Sequence, residues 1–148
     1  MIRSRRPINI LLVEDNPGDV RLTQEAFREG NIKVCLEVAR DGVEAISYLR
    51  QEAPFTEAIL PDLILLDLNL PKKDGREVLA EIKNDIDLKR IPVVVLTTSN
   101  AEADILKSYN LHVNCYINKP VDFDRFFEIV QKIEAFWLTT AVLPSMIA

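Results

Sequence analysis

The sequence lacks the features that mark membrane, secreted and nucleic-acid-binding proteins. No stretch approaches the roughly 18 consecutive apolar residues of a membrane-spanning helix, and the basic start is not followed by the apolar core of a signal peptide. The formal net charge is -5, so the chain has no positive surplus to neutralise a run of phosphates. We therefore expect a cytoplasmic protein with neither a membrane nor a nucleic acid as its partner.

Cysteine is scarce as well. The two cysteines, Cys35 and Cys115, are far apart in the chain, and each lies within an apolar stretch. Such positions favour small, buried and reduced side chains over a metal site or a redox pair.

Short β-prone runs alternate with helical patterns along the chain. Its 148 residues, 48% of them hydrophobic, suffice for one globular domain. Five strand-helix units predict an α/β fold with a doubly wound parallel sheet in the order 2-1-3-4-5. That order places a switch point, and hence a crevice, between strands 1 and 3. The predicted strands cover Ile8–Val13, Val34–Val38, the run ending at Asp67, Val93–Leu96 and Asn114–Ile117.

The run Pro61–Pro71 reads as a strand buried on both faces, yet it ends on a carboxylate, Asp67. Burying a carboxylate without a partner would cost free energy, so the Asp67 side chain is expected to face the crevice at the strand's carboxyl edge. Glu14-Asp15, Thr97-Thr98 and Lys119 follow three other strands and should converge on it. Three carboxylates together favour a bound Mg²⁺, and the lysine and hydroxyls suit a phosphoryl group in transfer.

Four motifs at these strand ends resemble the receiver domain of bacterial two-component response regulators. They are Leu-Val-Glu-Asp-Asn, Leu-Leu-Asp-Leu-Asn-Leu-Pro-x-x-Asp-Gly, Thr-Thr-Ser and Asn-Lys-Pro, in this order after strands 1, 3, 4 and 5. The resemblance covers residues 8 to 134 and implies the flavodoxin-like (βα)5 fold. Two further stretches are similar to the small stand-alone regulators that partner cyanobacterial phytochrome kinases. They are Asn-Leu-Pro-Lys-Lys-Asp-Gly-Arg-Glu-Val-Leu-Ala-Glu-Ile-Lys, shortly after Asp67, and Ile-Glu-Ala-Phe-Trp-Leu near the end of the chain.

The resemblance implies that Asp67 accepts a phosphoryl group from a sensor histidine kinase of phytochrome type. It also implies that the carboxylates of Glu14, Asp15 and Asp67, with the backbone carbonyl of Asn69, hold Mg²⁺. The chain would then be a phosphoacceptor signalling protein, not an enzyme, although it contributes catalysis to its own phosphotransfer and autodephosphorylation.

On the phosphoryl side, the resemblance gives Thr97 a hydrogen bond to the phosphoryl group and Lys119 an ion pair with it. Tyr116 would be the aromatic residue that moves with Thr97 on activation. The donor histidine belongs to the kinase in this family, so His112, the chain's only histidine, is expected to take no part.

Two other classes use related sheets. A phosphatase of the haloacid-dehalogenase type also has a strand-end Asp and Mg²⁺, but it needs a second Asp two residues later, where this chain has Asn69. A flavodoxin-like carrier would need hydroxyls and amides after strand 1, where Glu14-Asp15 would repel a phosphate. Both alternatives are disfavoured.

We expect three segments: a disordered basic tail over residues 1–7, a receiver domain over residues 8–138, and an apolar extension over residues 139–148. The end of the last helix and this extension carry much apolar area, which favours cover by a second chain. We therefore expect a homodimer with Phe136, Trp137 and Leu138 near the centre of its contact.

Overall fold

The sheet is five-stranded and parallel. The computed structural model describes residues 7–30, 32–97, 115–118 and 122–139. The strand order β2-β1-β3-β4-β5 confirms the predicted order and the switch point between β1 and β3. The strands are β1 (Ile8–Val13), β2 (Val34–Ala39), β3 (Leu63–Asp67), β4 (Val93–Thr97) and β5 (Cys115–Asn118).

In the part of the chain that the structure describes, four α-helices accompany the sheet, and a short 3-10 turn over Leu88–Arg90 precedes β4. The predicted helix between β4 and β5 lies outside the described residues, as do residues 1–6 and 140–148. Within the described ranges, no helix is long and apolar enough to cross a membrane. The helices are α1 (Pro17–Arg28), α2 (Gly42–Leu49), α3 (Gly75–Asn84) and α4 (Phe123–Thr139).

Polar caps start the first three helices directly after the strand-end loops. The side chains of Asn16, Asp41 and Asp74 each accept a backbone N–H from the first turn of α1, α2 and α3. These bonds satisfy donors that a helix N-terminus would otherwise leave unpaired. The caps therefore fix where each helix starts after its strand-end loop.

The sheet separates two hydrophobic cores. Strand β3 lies at its centre, and all five of its residues are buried. Alternate residues point to opposite faces, so Ile64 packs in the core beneath α2 and α3 while Leu65 packs in the core beneath α1 and α4. Covering on both faces explains why β3 reads as a continuous apolar run.

Strand β2 is less well covered, and here one prediction was wrong. Cys35 is exposed instead of buried. Helix α2 has eight residues and so spans roughly 12 Å, whereas the six residues of β2 extend roughly 20 Å, so α2 cannot cover the whole strand. A loop after α2 continues the cover, and the ring centre of its Phe55 lies 5.5 Å from that of Tyr48 in α2.

Candidate functional site

Asp67 occupies the carboxyl end of the central strand. It is 2% exposed, and in the parallel register it lies opposite Leu96 of β4. The backbone N–H of Asn69 donates to its Oδ1 atom over 2.9 Å. This bond fixes the orientation of the carboxylate at the predicted crevice.

Two carboxylates come from the loop after β1. The backbone of Glu14 continues the sheet, since its N–H donates to the carbonyl of Ala39 over 2.9 Å. The Glu14 side chain is 1% exposed, and its Oε2 accepts the N–H of Asn16 over 3.2 Å. Asp15, by contrast, is exposed. The loop therefore presents one buried carboxylate and one that faces solvent.

The structure brings these three side chains together. One carboxylate oxygen from each of Glu14, Asp15 and Asp67 lies within 4.8 Å of the other two. Three negative charges at this spacing repel one another, and a cation among them would offset that repulsion. Carboxylate oxygens are the ligands that hard divalent cations prefer, so this donor set fits such an ion.

The loop after Asp67 is fastened to the sheet. The N–H of Leu68 donates to the carbonyl of Leu96 over 3.1 Å, and the N–H of Gly75 donates to the carbonyl of Leu68 over 3.2 Å. A Cβ at position 75 would collide with the Asp67 carbonyl oxygen and the Leu68 backbone. A glycine is needed at position 75 so that α3 can start this close to the carboxylate.

The outer part of this loop packs against α2 and α3. The Lys73 ammonium lies 2.6 Å from a Glu81 carboxylate oxygen, and the Lys72 ammonium lies 3.4 Å from Asp41. The α-carbon of Gly42 packs so closely on the Lys73 carbonyl that a Cβ would collide with it. Two adjacent lysines in a loop give no signal in the sequence for these contacts.

The other predicted site residues are described only in part. Thr97 ends β4 and pairs with Asn118 of β5, so its backbone is at the same edge of the sheet as Asp67. The side chains of Thr97 and Tyr116 lie outside what the structure describes, and so does the whole of Lys119. The same is true of the side chains of Phe136, Trp137 and Leu138, whose backbone belongs to α4.

A second buried aspartate was also missed. Asp62 is 3% exposed and precedes β3 at the opposite edge of the sheet. Its Oδ2 accepts the N–H of Asn9 over 2.9 Å, and its own N–H donates to the Asn9 carbonyl over 2.7 Å. The only signal for it in the sequence is a single Asp before an apolar run.

The sequence matches a known family over most of its length. The family model for the response regulator receiver domain matches residues 10–131. Response regulator Rcp1 from Synechocystis sp. is 55% identical over 142 residues, which cover 96% of this chain and 97% of Rcp1.

Solved structures show the same likeness. The phosphorylated cyanobacterial phytochrome response regulator RcpA superposes with a TM-score of 0.84 at 60% identity, covering 94% of this chain and 99% of RcpA. The Mn²⁺-bound form of Rcp1 gives a TM-score of 0.82 at 56% identity, covering 93% and 99%. Receiver domains bind a divalent metal, and the acidic cluster described above has the oxygen donors for one. The chain belongs to the response regulator receiver family of two-component signalling and is related to the phytochrome response regulators.

Proposed function

We propose that this chain accepts a phosphoryl group from a histidine kinase onto Asp67 in a Mg²⁺-dependent reaction, and that it signals through interactions that depend on phosphorylation. The observation that carries the proposal is the arrangement of Asp67 at the end of β3 with the carboxylates of Glu14 and Asp15 around it. Family membership supports the same chemistry.

In the proposed transfer, an Asp67 oxygen forms a P–O bond as the P–N bond of the kinase phosphohistidine breaks. The departing imidazole nitrogen keeps the bonding electron pair. The ring leaves as neutral imidazole if its other nitrogen is already protonated, and otherwise it takes a proton from water as the P–N bond breaks. The N–H of Asn69 holds the Asp67 carboxylate in one orientation, which favours a productive approach. Low exposure restricts access by bulk water and protects the acyl phosphate that results.

The carboxylates of Glu14, Asp15 and Asp67, with the backbone carbonyl of Asn69, are the groups proposed to hold Mg²⁺. When bound, the cation would supply positive charge for the phosphoryl oxygens. The N–H of Asn16 fixes Glu14 from the protein side, whereas exposed Asp15 gives the cluster an open side toward solvent.

We propose the family roles for the remaining residues at this edge: a Thr97 hydrogen bond to the phosphoryl group, a Lys119 ion pair with it, and a Tyr116 movement coupled to Thr97. Support comes from the backbone, because β4 and β5 end side by side next to β3. A Lys119→Ala variant should be phosphorylated slowly and should fail to switch partner binding, since the cation stabilises the charged product.

A phytochrome-type kinase is the proposed donor, because RcpA is a phytochrome response regulator and is 60% identical to this chain. Phosphotransfer from a phytochrome kinase and from an unrelated histidine kinase can be compared with radiolabelled donors. Faster labelling by the unrelated kinase would exclude the phytochrome assignment while leaving the receiver chemistry intact.

We also propose a homodimer whose contact uses the end of α4 and residues 139–148, with Phe136, Trp137 and Leu138 near its centre. The support is composition, since aromatic anchors dominate the energy of protein interfaces. Sedimentation of the wild type and of Trp137→Ala at micromolar concentration tests the proposal. Equal dimerisation, or none in either protein, would exclude this contact.

Intact mass after incubation with acetyl phosphate and Mg²⁺ tests the central proposal. The wild type should gain the mass of one phosphoryl group, and Asp67→Asn should gain none. Asp62→Asn is the matched control, because it removes the charge of the other buried aspartate at the far end of the same strand. Equal labelling of wild type and Asp67→Asn would place the acceptor elsewhere.

A further inference from the structure

An open groove lies where α2 stops short of covering β2. Its volume is about 360 Å³. Exposed Cys35 and Glu37 form the sheet side, and Tyr48, Phe55 and Ile59 contribute the apolar wall on the other side. The groove lies on the α2 side of the sheet, apart from the carboxylate cluster, which follows the ends of β1 and β3.

The groove combines apolar walls with negative charge. Glu37 and Glu57 both line it, and among the described residues of its lining none is basic. Ile59 is 65% exposed, which leaves a large aliphatic side chain without cover in the described part of the chain. Burial, and then the charge of Glu37, raises the pKa of Tyr48, so the Glu37 carboxylate acts on the phenol inside the groove. This surface suits a segment that carries arginines next to an aliphatic side chain.

The chain itself carries such a segment at the appropriate place. Residues 1–6 read Met-Ile-Arg-Ser-Arg-Arg, with one isoleucine and three arginines. The described chain starts at Pro7, and Asn9, two residues later, already lines the groove. Six extended residues reach roughly 20 Å, which is enough to pass from Pro7 over the sheet side of the groove.

We propose that residues 1–6 lie across this groove as an intramolecular cover, in place of the disordered basic tail expected from the sequence. The arginines pair with Glu37 and Glu57, and Ile2 packs on Phe55 and Ile59. Each exposed ion pair is weak by itself. Residues 1–6, called the arm below, are however tethered to the domain by only a few residues. The tether holds the arm at a local concentration of roughly millimolar or more, so weak contacts suffice.

Backbone amide NMR of the full chain tests this proposal through a double-mutant cycle. One change replaces the arm's charges (Arg3→Gln, Arg5→Gln and Arg6→Gln together), and the other replaces those of the groove (Glu37→Gln with Glu57→Gln). In a wild-type groove, the arm change should shift the amides of Cys35, Glu37, Ala58 and Ile59. In the Glu37→Gln with Glu57→Gln variant, the same arm change should shift these groove amides several-fold less.

High salt tests whether charge holds the arm in the groove. At about 1 M NaCl, where the screening length falls to about 3 Å, the effect of the arm on the groove amides should be largely lost. Glu29→Gln with Glu52→Gln, two exposed carboxylates outside the lining, is the matched control and should leave the arm effect unchanged.

Two results would overturn the proposal. The first is an arm change that shifts only amides near Pro7 and leaves those of Ala58 and Ile59 in place. The second is an arm effect that weakens on tenfold dilution, because this would assign the groove to the arm of a second copy.

Discussion

Two buried aspartates stand at opposite ends of the same strand. Asp62 precedes β3 and is 3% exposed, and Asp67 ends β3 and is 2% exposed. A backbone N–H donates to each over 2.9 Å. Burial and hydrogen bonding thus fail to distinguish them.

Their neighbours do distinguish them. Asp67 has carboxylate oxygens of Glu14 and Asp15 within 4.8 Å, whereas Asp62 belongs to no cluster of three potential metal-ligating side chains among the described residues. Asp62 instead exchanges two hydrogen bonds with Asn9, which extends the pairing of β1 and β3 beyond the ladder. A buried carboxylate bonded to a backbone amide stabilises the fold, whereas a buried carboxylate among other carboxylates indicates a site for a cation.

The largest expected effect is that of Asp67→Asn. Phosphorylation by acetyl phosphate should be abolished, while thermal unfolding without metal should occur at an equal or higher temperature, because one of three repelling charges is removed. The asparagine can still accept the N–H of Asn69. A melting point several degrees lower would show that Asp67 stabilises the fold as Asp62 does, and the contrast would fail.

Asp62→Ala should show the opposite pattern. It removes an acceptor from the Asn9 N–H, so the free energy of unfolding should fall by about 1–3 kcal/mol in urea titrations. Phosphorylation of Asp67 should continue. Asp62→Asn, which retains an acceptor, should cost less. If Asp62→Ala loses phosphorylation at unchanged stability, the two ends of β3 are functionally linked.

Asp15→Asn probes the exposed member of the cluster. It removes one charge and one oxygen ligand, so calorimetry should show Mg²⁺ affinity reduced by about tenfold or more. The loss should exceed that of Asp19→Asn, a half-buried carboxylate nearby on α1 that is not in the cluster. Equal affinities in wild type and Asp15→Asn would place the metal elsewhere.

The smallest effect concerns Asp85, a partly exposed carboxylate after α3. Backbone N–H groups of Leu88 and then Asp87 hold its pKa below the ordinary value of 3.8. A lowered pKa in the folded state contributes stability above 3.8, and this is lost as the pH falls through the folded value. Asp85→Asn should therefore be slightly less stable than wild type near pH 7, and the difference should narrow as the pH falls below 3.8. A constant difference in urea midpoints would show that charge is not involved.

The strand order and the acidic cluster could be predicted because both follow from local patterns. Alternating strands and helices dictate a parallel sheet, and parallel strands collect their carboxyl ends at one edge. Once β1 and β3 are neighbours, Glu14-Asp15 and Asp67 must come close. The prediction required no knowledge of side-chain packing.

Asp62 and Cys35 could not be placed in this way. The partner of Asp62 is 53 residues away in sequence, and a single Asp before an apolar run is equally typical of a turn. The exposure of Cys35 depends on where α2 ends relative to β2, and helix ends are poorly determined by periodicity. Both depend on contacts between distant segments.

The contact between Gly42 and the Lys73 carbonyl bears on how this chain can vary. The first residue of α2 has no side chain, and the backbone of the loop that carries Asn69 fills that space. A loop of different length would no longer meet position 42, and any larger residue there would push the loop away. We expect insertions between Asp67 and Gly75 to be tolerated only together with changes at the start of α2. A library that randomises both segments at once should therefore yield functional variants that are missing when either segment is randomised alone.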